Sequence, residues 1–422
     1  MKKTIGVVGL GYVGLPLLIN FAKKFNVLGF DSSENKIKIL NNGSSYIEHI
    51  SNDEILSIDN NFDFIATNDF SLINLVDAII ICVPTPITKH REPDLKFVNS
   101  VMDNITPYLK ENQMISLEST TYPGTTDELI AARVTESGFD IGKNYYVVYS
   151  PEREDPGSGF PLADIPKVLG GVTKECTIKG MQIYSEIFKE VVPVSSLKVA
   201  ELSKLLENIH RAVNLGMINE FKVICDKMDV DPFEVIEASA TKPFGFVPYY
   251  PGPGWGGHCI PVDPFYLSWK AKEFGINSRF IELAGELNFE TQEFVLKKIS
   301  QALNSKSKSV NGSKVLILGI AYKPNVDDAR ESPSLEILTS LINQGANVEF
   351  SDPFFKSFPK TRKYEYDKES ITLNKQNIQS FDLVALLTNH SQFDYELIKE
   401  NAQIIVDARG VYDVDNKKIF RA

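Results

Sequence analysis

Apolar residues in the first 150 positions are grouped in short continuous runs, separated by segments with helical spacing. A continuous apolar run is typical of a parallel strand that is covered on both faces. The runs occupy residues 5–10, 27–30, 78–83, 114–117 and 145–149. Helices are expected between them, beginning with residues 15–25. Strands that alternate with helices predict a doubly wound α/β domain.

The pattern changes near residue 199. Residues 199–228 and 280–303 have long helical periodicity and contain no strand signal. Asp231-Pro232 is typical of a helix start, with Asp as N-cap and Pro at the first helical position. The Pro- and Gly-rich residues 243–264 are expected to form a loop. The middle of the chain is therefore predicted to be helical, with one long loop.

A second strand pattern follows a polar linker at residues 304–313. Its strands are predicted within residues 314–319, 348–353, 383–387 and 404–407. The predicted fold class is α/β, with two Rossmann-like doubly wound domains joined by a central helical region. The expected domain bounds are 1–198, 199–303 and 314–422.

The charge balance limits the partners. The chain has 422 residues, with 44 basic and 55 acidic side chains and a formal net charge of −11. A nucleic acid or an acidic membrane requires a basic face, so neither is an expected partner. We find no signal peptide and no apolar run long enough to span a membrane, which predicts a cytoplasmic protein.

Cysteine and histidine usage predicts neither disulfides nor a metal site. The four cysteines are far apart and form no Cys-x-x-Cys pair, so a disulfide framework is not expected. The five histidines show no spacing typical of zinc ligands.

A glycine motif, Gly9-Leu10-Gly11-Tyr12-Val13-Gly14, follows the first strand and begins the first helix. In a dinucleotide-binding turn, the three glycines respectively allow the tight turn, let the backbone approach the pyrophosphate, and pack the helix on the strand. Asp31 ends the next strand, where an acid accepts hydrogen bonds from the adenosine ribose and favours NAD over NADP, although Lys36 is close in sequence. The alternative is a tight turn without a ligand.

Cys259 has the sequence context of a nucleophile. It follows Gly256-Gly257-His258 in the Gly/Pro-rich loop, whereas Cys82 and Cys225 lie in apolar segments, as small buried hydrophobes do. A thiol combined with a dinucleotide turn suggests oxidation through a covalent thioester.

Two further groups are weaker candidates. Lys204 and Asn208 are four residues apart on a predicted helix and share one face, although a solvated surface pair is the simpler interpretation. Glu152 follows a predicted strand, where site residues of open α/β sheets lie, but it is also part of a charged run that could be solvated.

These blocks together resemble the UDP-glucose/GDP-mannose dehydrogenase family over nearly the whole chain. The landmarks are Gly-Leu-Gly-Tyr-Val-Gly-Leu-Pro (9–16), Val-Pro-Thr-Pro (83–86), Glu-Ser-Thr (118–120), Ser-Pro-Glu (150–152), Glu-Leu-Ser-Lys (201–204) with Asn208, Gly-Gly-His-Cys (256–259), Lys323 and Arg-Glu-Ser-Pro (330–333). Within the family, residues 121–126, 150–157, 251–254 and 256–264 are most similar to those of UDP-N-acetylglucosamine 6-dehydrogenases.

The resemblance implies two successive oxidations of a sugar C6 alcohol by two NAD, in polysaccharide biosynthesis. It implies that residues 1–198 bind NAD, that 199–303 form a dimerisation region with the cysteine loop, and that 314–422 bind the UDP part of the substrate. A homodimer or larger homo-oligomer is expected.

The resemblance also implies roles for individual residues. The implied catalytic groups are Cys259 as nucleophile, Lys204 and Asn208 as stabilisers of charge on the substrate oxygen, Asp263 and a water near Thr120 in proton transfer, and Glu152 in hydrolysis. The implied NAD contacts are Gly9, Gly11, Tyr12, Val13, Gly14, Asp31, Lys36, Thr85, Thr120 and Arg330. The implied nucleotide-sugar contacts are Glu152, Arg153, Lys204, Asn208, Arg211, Tyr250, Gly254, Gly256, Lys323 and Arg409, together with the rest of the 250–256 loop.

Two positions depart from UDP-glucose dehydrogenases. Those enzymes carry a Lys in the loop after the Cys, where this chain has Val262, and a second Glu near the position of Pro156. Both departures favour an N-acetylated sugar. UDP-N-acetylglucosamine is therefore the expected substrate, with UDP-N-acetylmannosamine, UDP-N-acetylgalactosamine and UDP-glucose as alternatives.

Two other functions remain open at this point. A two-electron dehydrogenase of a hydroxy acid or sugar phosphate would make one NADH per turnover and ignore thiol alkylation. A non-catalytic NAD- or nucleotide-sensing scaffold would bind without turnover and would not need Lys204 or Cys259.

Overall fold

A computed structural model describes residues 2–47, 50–88, 90–154, 160–361, 363–413 and 417–422. The chain forms two compact units, residues 1–207 with 265–276 and residues 208–264 with 277–422. The middle of the chain is thus shared between the units. The three-part division at 199 and 314 remains a prediction.

The first unit contains an eight-stranded sheet in the order β3-β2-β1-β4-β5-β6-β7-β8. Its strands are β1 Thr4–Val8, β2 Asn26–Phe30, β3 Ala66–Thr67, β4 Ala78–Ile81, β5 Met114–Leu117, β6 Tyr146–Tyr149, β7 Lys167–Gly171 and β8 Val191–Pro193. Its helices are α1 Gly14–Ala22, α2 Glu34–Asn41, α3 Asn52–Leu56, α4 Lys96–Ile105, α5 Ala132–Glu136 and α6 Lys174–Tyr184. A π-helix at Thr126–Ala131 leads into α5, and 3₁₀ turns lie at Phe70–Leu75, Thr106–Tyr108 and Leu162–Asp164.

The first six strands have the doubly wound order and are parallel, as predicted. The seventh strand departs from the prediction, because β7 pairs antiparallel with β6. A parallel pair needs a crossover connection, usually a helix, and the described part of the β6–β7 connection has only the short 3₁₀ turn. The strands β3, β7 and β8 were not predicted from the sequence.

Long helices follow in the middle of the chain. They are α7 Leu197–Met228, α8 Pro232–Ala240, α9 Asp263–Lys272 and α10 Arg279–Asn304. The helix start at Asp231-Pro232 is confirmed, since the Asp231 carboxylate accepts the Phe233 N–H at 3.0 Å. Helix α7 continues from the first unit into the second, with the division after Glu207.

The second unit contains a parallel five-stranded sheet in the order β10-β9-β11-β12-β13. Its strands are β9 Lys314–Leu318, β10 Asn347–Ser351, β11 Leu383–Leu386, β12 Ile405–Asp407 and β13 Ile419–Arg421. Its remaining helices are α11 Pro333–Asn343, α12 Lys375–Gln379 and α13 Tyr395–Asn401. The second α/β fold is thus confirmed.

Each sheet has an apolar cluster on both faces, which explains the continuous apolar runs. In β1, Val7 packs into one cluster and Val8 into the other. In β9, Ile317 and Leu318 divide in the same way. Successive side chains of a strand point to opposite faces, so both must be apolar when helices cover both sides.

The two units repeat one turn after their first strands. Gly9 donates its N–H to the Phe30 carbonyl at 2.7 Å, and Gly319 donates to Ser351 at 2.9 Å. Both glycines have positive φ, +92° and +81°. In the second unit, however, the carboxylate after the second strand, Asp352, is fully enclosed and contacts the His390 imidazole at 3.1 Å. That turn therefore offers no open carboxylate to a ribose.

Candidate active site

The glycine turn of the first unit has the geometry that a dinucleotide requires. Gly9 adopts φ +92°, a conformation that side chains rarely allow, and a Cβ there would lie 2.6 Å from the Cys82 carbonyl oxygen. A Cβ at Gly14 would overlap the Gly9 carbonyl oxygen, so α1 packs directly on the turn. Protein contacts therefore account for the first and third glycines.

Gly11 is different, because a Cβ there would meet no described atom of the chain within 4 Å. Helix α1 starts at Gly14 without a side-chain cap, so no side chain of the helix start occupies its positive dipole end. An open backbone next to an uncapped helix start fits a pyrophosphate. The residues present thus fit the diphosphate of NAD, and Tyr12 and Val13 lie in the same turn.

Asp31 directly follows β2 and contacts this turn, at the position where the adenosine ribose is expected to bind. Its carboxylate is buried and accepts the N–H of Leu10 at 3.0 Å and of Ser33 at 2.9 Å. Lys36 adds an ion pair at 3.1 Å. These contacts hold the carboxylate in place, as the predicted ribose contact needs, and Lys36 is paired with Asp31.

Thr85 and Thr120 are joined to each other. The Thr85 hydroxyl donates to the Thr120 carbonyl at 2.7 Å, and the Thr85 carbonyl accepts the Tyr266 hydroxyl. Thr85 is buried, whereas Thr120 is half-buried. These bonds fix the loops after β4 and β5, so the predicted NAD contact of Thr85 would not depend on a free hydroxyl.

Glu152 is held by charge and by backbone. One carboxylate oxygen accepts the N–H groups of Arg153 at 2.6 Å and Glu154 at 2.7 Å, and the other contacts the Lys167 ammonium at 3.2 Å. Burial alone would raise the pKa of Glu152, but Lys167 and the two backbone N–H groups outweigh it and lower the pKa. The idea that Glu152 belongs to a solvated charge run is therefore wrong.

Lys167, which was not predicted from the sequence, links Glu152 to Glu118. The Lys167 ammonium lies 2.5 Å from the Glu118 carboxylate, and both side chains are buried. A lone Lys at the start of an apolar strand carries no signal for such a role. Only its partners reveal it.

Arg153 is used within its own unit. Its guanidinium donates to the Pro166 carbonyl at 2.7 Å and pairs with Glu207 at 2.8 Å. A substrate contact by Arg153 remains a prediction.

Lys204 and Asn208 form the same-face pair on α7, but they are not a solvated surface pair. Their relative exposures are 8% and 4%. The Lys204 ammonium forms no ion pair with a carboxylate in the described part of the chain. A buried ammonium without a carboxylate is costly, so it points to a charged or polar ligand.

Glu201, one turn before Lys204 on α7, anchors the 121–126 loop. Its carboxylate accepts the N–H groups of Gly124 at 2.6 Å and Thr126 at 3.0 Å, and the Thr126 hydroxyl at 2.7 Å. Burial raises its pKa, opposed by these bonds. The segment 201–204 therefore contains both Glu201, which holds the 121–126 loop in place, and the proposed functional residue Lys204.

The Cys259 loop is rigidly folded within the second unit. Gly257 has φ +87°, and a Cβ there would lie 2.9 Å from the Tyr322 ring. The Gly257 N–H donates to the Arg330 carbonyl at 2.9 Å. A side chain at Gly256 would approach the Glu331 carbonyl oxygen to 2.7 Å. Both glycines are thus required for the loop to pack on the segment 322–331.

Cys259 is half-buried, unlike Cys82, Cys176 and Cys225, which are buried. Its carbonyl oxygen accepts the N–H groups of Val262 at 3.0 Å and Asp263 at 2.8 Å, which starts α9. The thiol is therefore partly accessible on a fixed backbone.

Asp263 connects this loop to α7. Its buried carboxylate accepts the Asn208 amide at 2.6 Å. This contact fixes the direction of the Asn208 side chain, because one amide N–H is donated to Asp263, which leaves the second N–H and the amide oxygen for other partners. The predicted grouping of Cys259, Asn208 and Asp263 is thus present in one unit.

The 250–256 loop is clamped to α7 by two residues that sequence analysis missed. Asn219 accepts the Gly252 N–H at 3.0 Å, and the Lys222 ammonium donates to the Gly252 carbonyl at 2.9 Å. Burial, aided by the charge of Arg409, lowers the pKa of Lys222 to about 7. In the sequence, the spacing of Asn219 and Lys222 on α7 indicated only ordinary core or surface positions of a helix.

Arg409 lies against the same glycine. A Cβ at Gly252 would be 2.7 Å from an Arg409 guanidinium nitrogen, and the Arg409 Nε donates to the Leu387 carbonyl at 2.6 Å. Burial lowers the pKa of Arg409 to about 10, opposed by Asp407. Two neighbouring basic side chains, Lys222 and Arg409, thus adjoin the loop predicted to hold the anionic nucleotide.

The other predicted contacts lie in different surroundings. Tyr250 stacks on Phe233 with ring centroids 6.3 Å apart. A Cβ at Gly254 would lie 2.8 Å from the Asn288 side-chain oxygen. Lys323 is half-buried, Arg211 is exposed, and Arg330 pairs through two nitrogens with Asp328. Pro156, one of the two specificity positions, lies outside the described residues.

The described residues contain no group of three or more His, Cys, Asp or Glu side chains arranged to hold a metal ion. None of the helices in the described part of the chain combines the length and hydropathy needed to cross a membrane.

Three family models match the chain in order. They are the NAD binding domain of the UDP-glucose/GDP-mannose dehydrogenase family at residues 3–192, its central domain at 198–290, and its UDP binding domain at 316–414.

Individual relatives are similar over almost their whole length. The chain is 31% identical to a UDP-N-acetyl-D-glucosamine 6-dehydrogenase of Pseudomonas aeruginosa, covering 92% of this chain and 91% of that protein. It is 32% identical to a UDP-N-acetyl-D-mannosamine dehydrogenase of Methanococcus vannielii, covering 99% and 93%. The solved structure of a UDP-D-ManNAc dehydrogenase from Pyrococcus horikoshii superposes with a TM-score of 0.87 at 27% identity, over 99% of both chains.

The glycine turn, the cysteine loop and these matches agree. The chain belongs to the UDP-glucose/GDP-mannose dehydrogenase family and is an NAD-dependent nucleotide-sugar dehydrogenase.

Proposed function

We propose that this protein is a UDP-N-acetylhexosamine 6-dehydrogenase that converts the C6 alcohol of UDP-N-acetylglucosamine to the uronic acid. The observation that carries the proposal is the partly accessible Cys259 thiol on a fixed loop, with the Asn208–Asp263 pair in the same unit. A single alcohol oxidation needs no such thiol, whereas oxidation to the acid does.

Cys259 supplies the covalent step. Its thiolate adds to C6 of the aldehyde and forms a C–S bond, which gives a thiohemiacetal. Oxidation of that carbon gives a thioester, and water then breaks the C–S bond to release the carboxylate and the thiol. NAD, when bound at the glycine turn, supplies the hydride acceptor for both oxidations.

Lys204 and Asn208 stabilise negative charge on the C6 oxygen. The ammonium and the amide N–H are donors, and Asp263 fixes the amide at 2.6 Å. Prepositioned donors of this kind act in the transition state without reorganisation. Asp263 and a water near Thr120 are the candidates for taking up the proton of the alcohol.

Glu152 serves the hydrolytic step. Its carboxylate is ionised, and the rigid contacts to Lys167 and two backbone N–H groups leave it as an acceptor of fixed direction. It accepts a hydrogen bond from the attacking water and receives the proton as the C–O bond forms.

The nucleotide part is held by cations and by the 250–256 loop. We propose Arg409, Lys323 and Arg211 as partners of the diphosphate and ribose, with Tyr250, Gly254 and Gly256 lining the loop. Arginine forks match phosphate oxygens, so an acidic chain can still bind a dianion.

The identity of the sugar rests on Val262 and on the relatives. The side chain of Val262 adds no cation next to Cys259, which suits an N-acetylated sugar better than glucose by comparison with UDP-glucose dehydrogenases. UDP-N-acetylmannosamine is the second candidate, because the Pyrococcus horikoshii structure carries that substrate name. A homodimer or larger homo-oligomer also remains our prediction.

A substrate panel tests the proposal. Purified protein is assayed with NAD and, in turn, the UDP derivatives of N-acetylglucosamine, N-acetylmannosamine, N-acetylgalactosamine and glucose. We expect the highest kcat/KM with UDP-N-acetylglucosamine and two NADH per sugar consumed. One NADH per sugar with every substrate would refute the double oxidation.

A further inference from the structure

Three charged side chains form a buried cluster in the first unit, behind the carboxylate proposed for hydrolysis. The Lys167 ammonium lies 2.5 Å from Glu118 and 3.2 Å from Glu152. Glu118 is completely enclosed, whereas the Glu152 side chain keeps 12% of its exposure. Glu152 is thus the member that can meet a ligand, and the other two lie behind it.

The antiparallel strand β7 produces this arrangement. Glu118 directly follows β5, and Glu152 lies three residues after β6. The β6–β7 register pairs Tyr149 with Gly170. Continued by three residues, the same register sets Lys167 opposite Glu152. A parallel β7 would place its first residue at the other end of the sheet.

The charges in the cluster are unequal. Burial raises the pKa of Glu118 to about 7, against the effect of Lys167. Burial would lower the pKa of Lys167, but the two carboxylates raise it well above its ordinary value. Lys167 therefore stays charged, and Glu118, not Glu152, is the carboxylate whose pKa is raised toward neutrality.

The other groups facing the cluster are few. The Tyr184 hydroxyl donates to the Glu118 carboxylate and also lies 2.8 Å from the Ser116 hydroxyl oxygen. The Lys167 ammonium also lies over the ring of Phe188, at 5.3 Å from its centroid. Burial raises the pKa of the Cys82 thiol well above its ordinary value, and the negative charge of Glu118 raises it further. Among the described residues, Lys167 is thus the cation that acts on Glu152.

We propose that Lys167 is a positioning residue for thioester hydrolysis, which fixes the direction of the Glu152 carboxylate through the contact at 3.2 Å while Glu118 holds the same ammonium from behind. This inference rests on the proposed function. Lys167 itself touches neither the substrate nor the reacting atoms.

Removal of Lys167 should change the pH dependence of hydrolysis. In Lys167→Met, two buried carboxylates face each other without a cation, so the pKa of Glu152 rises. Uronate release needs ionised Glu152 and is lost as the pH falls through that pKa. The acid limb of the rate should therefore move upward by about 1 pH unit or more.

The measurement is a single-turnover rapid quench with enzyme in excess over UDP-sugar, which follows uronate release from the covalent enzyme between about pH 5 and 9. Lys167→Arg should keep the wild-type limb. Glu118→Gln resembles the protonated Glu118 and should leave the limb in place or move it lower. Lys167→Met/Glu118→Gln removes both buried charges, which protects the fold, and should move the limb upward by less than Lys167→Met alone.

The matched control is Lys270→Met. Lys270 is also a buried lysine between two carboxylates, at 2.8 Å from Glu128 and 2.9 Å from Glu273, but it lies outside the cluster. The acid limb of uronate release in Lys270→Met should therefore be that of the wild type. The proposal would be overturned if the acid limb moved equally in Lys167→Met and Lys270→Met. It would also be overturned if the limb moved neither in Lys167→Met nor in Lys167→Met/Glu118→Gln. Wild-type protein that oxidises no UDP-sugar would instead refute the proposed function.

Discussion

Burial of polar side chains separates the functional residues from their neighbours on α7. Lys204 and Asn208 have the spacing of any surface pair, yet both are withdrawn from water. The Asn208 amide is directed by Asp263 at 2.6 Å. Burial of polar donors in fixed positions lowers the stability of the fold. In return, the donors stabilise the negative charge that develops in the transition state without first reorganising.

Replacement of Asn208 tests this role. Asn208→Ala removes one donor to the C6 oxygen, and we expect kcat to fall about 10²–10³-fold with little change in the KM for NAD. Steady-state kinetics at saturating UDP-sugar measure the effect. Asn214→Ala, one to two turns further along the same helix, serves as control and should change kcat less than about twofold. A similar loss in both variants would argue against the assigned role.

Individual elements were predictable where their patterns are local. The glycine turn, the first strands and the start of α8 depend on short-range rules, so the sequence located them within a few residues. The strands β3 and β8 are short, and the described part of the connection to the antiparallel β7 contains a 3₁₀ turn in place of a crossover helix. The partners of Glu152 and Gly252 come from distant segments, so Lys167, Asn219 and Lys222 carried no sequence signal.

The glycine turn allows a matched comparison. Gly11→Ala adds a Cβ that meets no described atom within 4 Å, whereas Gly14→Ala places one on the Gly9 carbonyl oxygen. We expect Gly11→Ala to keep the thermal midpoint but to weaken NAD binding about tenfold or more, since the backbone must approach the pyrophosphate. Gly14→Ala should lower the thermal midpoint. NAD titration and thermal unfolding distinguish the two, and the reverse pattern would contradict the turn's role.

Helix α7 also carries a buried lysine whose charge opposes folding. The pKa of Lys222 falls to about 7 in the folded chain, so between about pH 7 and 10 the unfolded chain binds the extra proton. The contribution of Lys222 to the free energy of unfolding therefore increases as the pH rises from about 7 to 10. Relative to wild type, the unfolding free energy of Lys222→Met should decline by about 1–3 kcal/mol as the pH rises from about 7 to 10.

Urea unfolding at several pH values measures this difference. Lys227→Met, at an exposed lysine of the same helix, is the control and should show no such trend. A pH-independent difference for Lys222→Met would show that Lys222 stays protonated in the fold.

Across the whole molecule, two α/β units use related turns for different purposes. The first keeps an open glycine and leaves 9% of the Asp31 side chain exposed, while the second fully encloses Asp352 with His390. Only the first turn therefore fits a dinucleotide, and the second unit provides the Cys259 loop and the cations next to Gly252. The fold class and the family followed from the sequence, because the motif order spans both units.

The central claim is that one thiol holds the sugar between two oxidations, and Cys259→Ala tests it most directly. The variant is compared with wild type for uronic acid formed and NADH produced per UDP-sugar, with retained NAD binding and thermal midpoint as evidence of folding. We predict two NADH and one uronic acid per sugar for wild type, and a loss of acid formation of about 10³-fold or more for Cys259→Ala. Acid formation by Cys259→Ala within about tenfold of the wild-type rate, at two NADH per sugar, would contradict the covalent account.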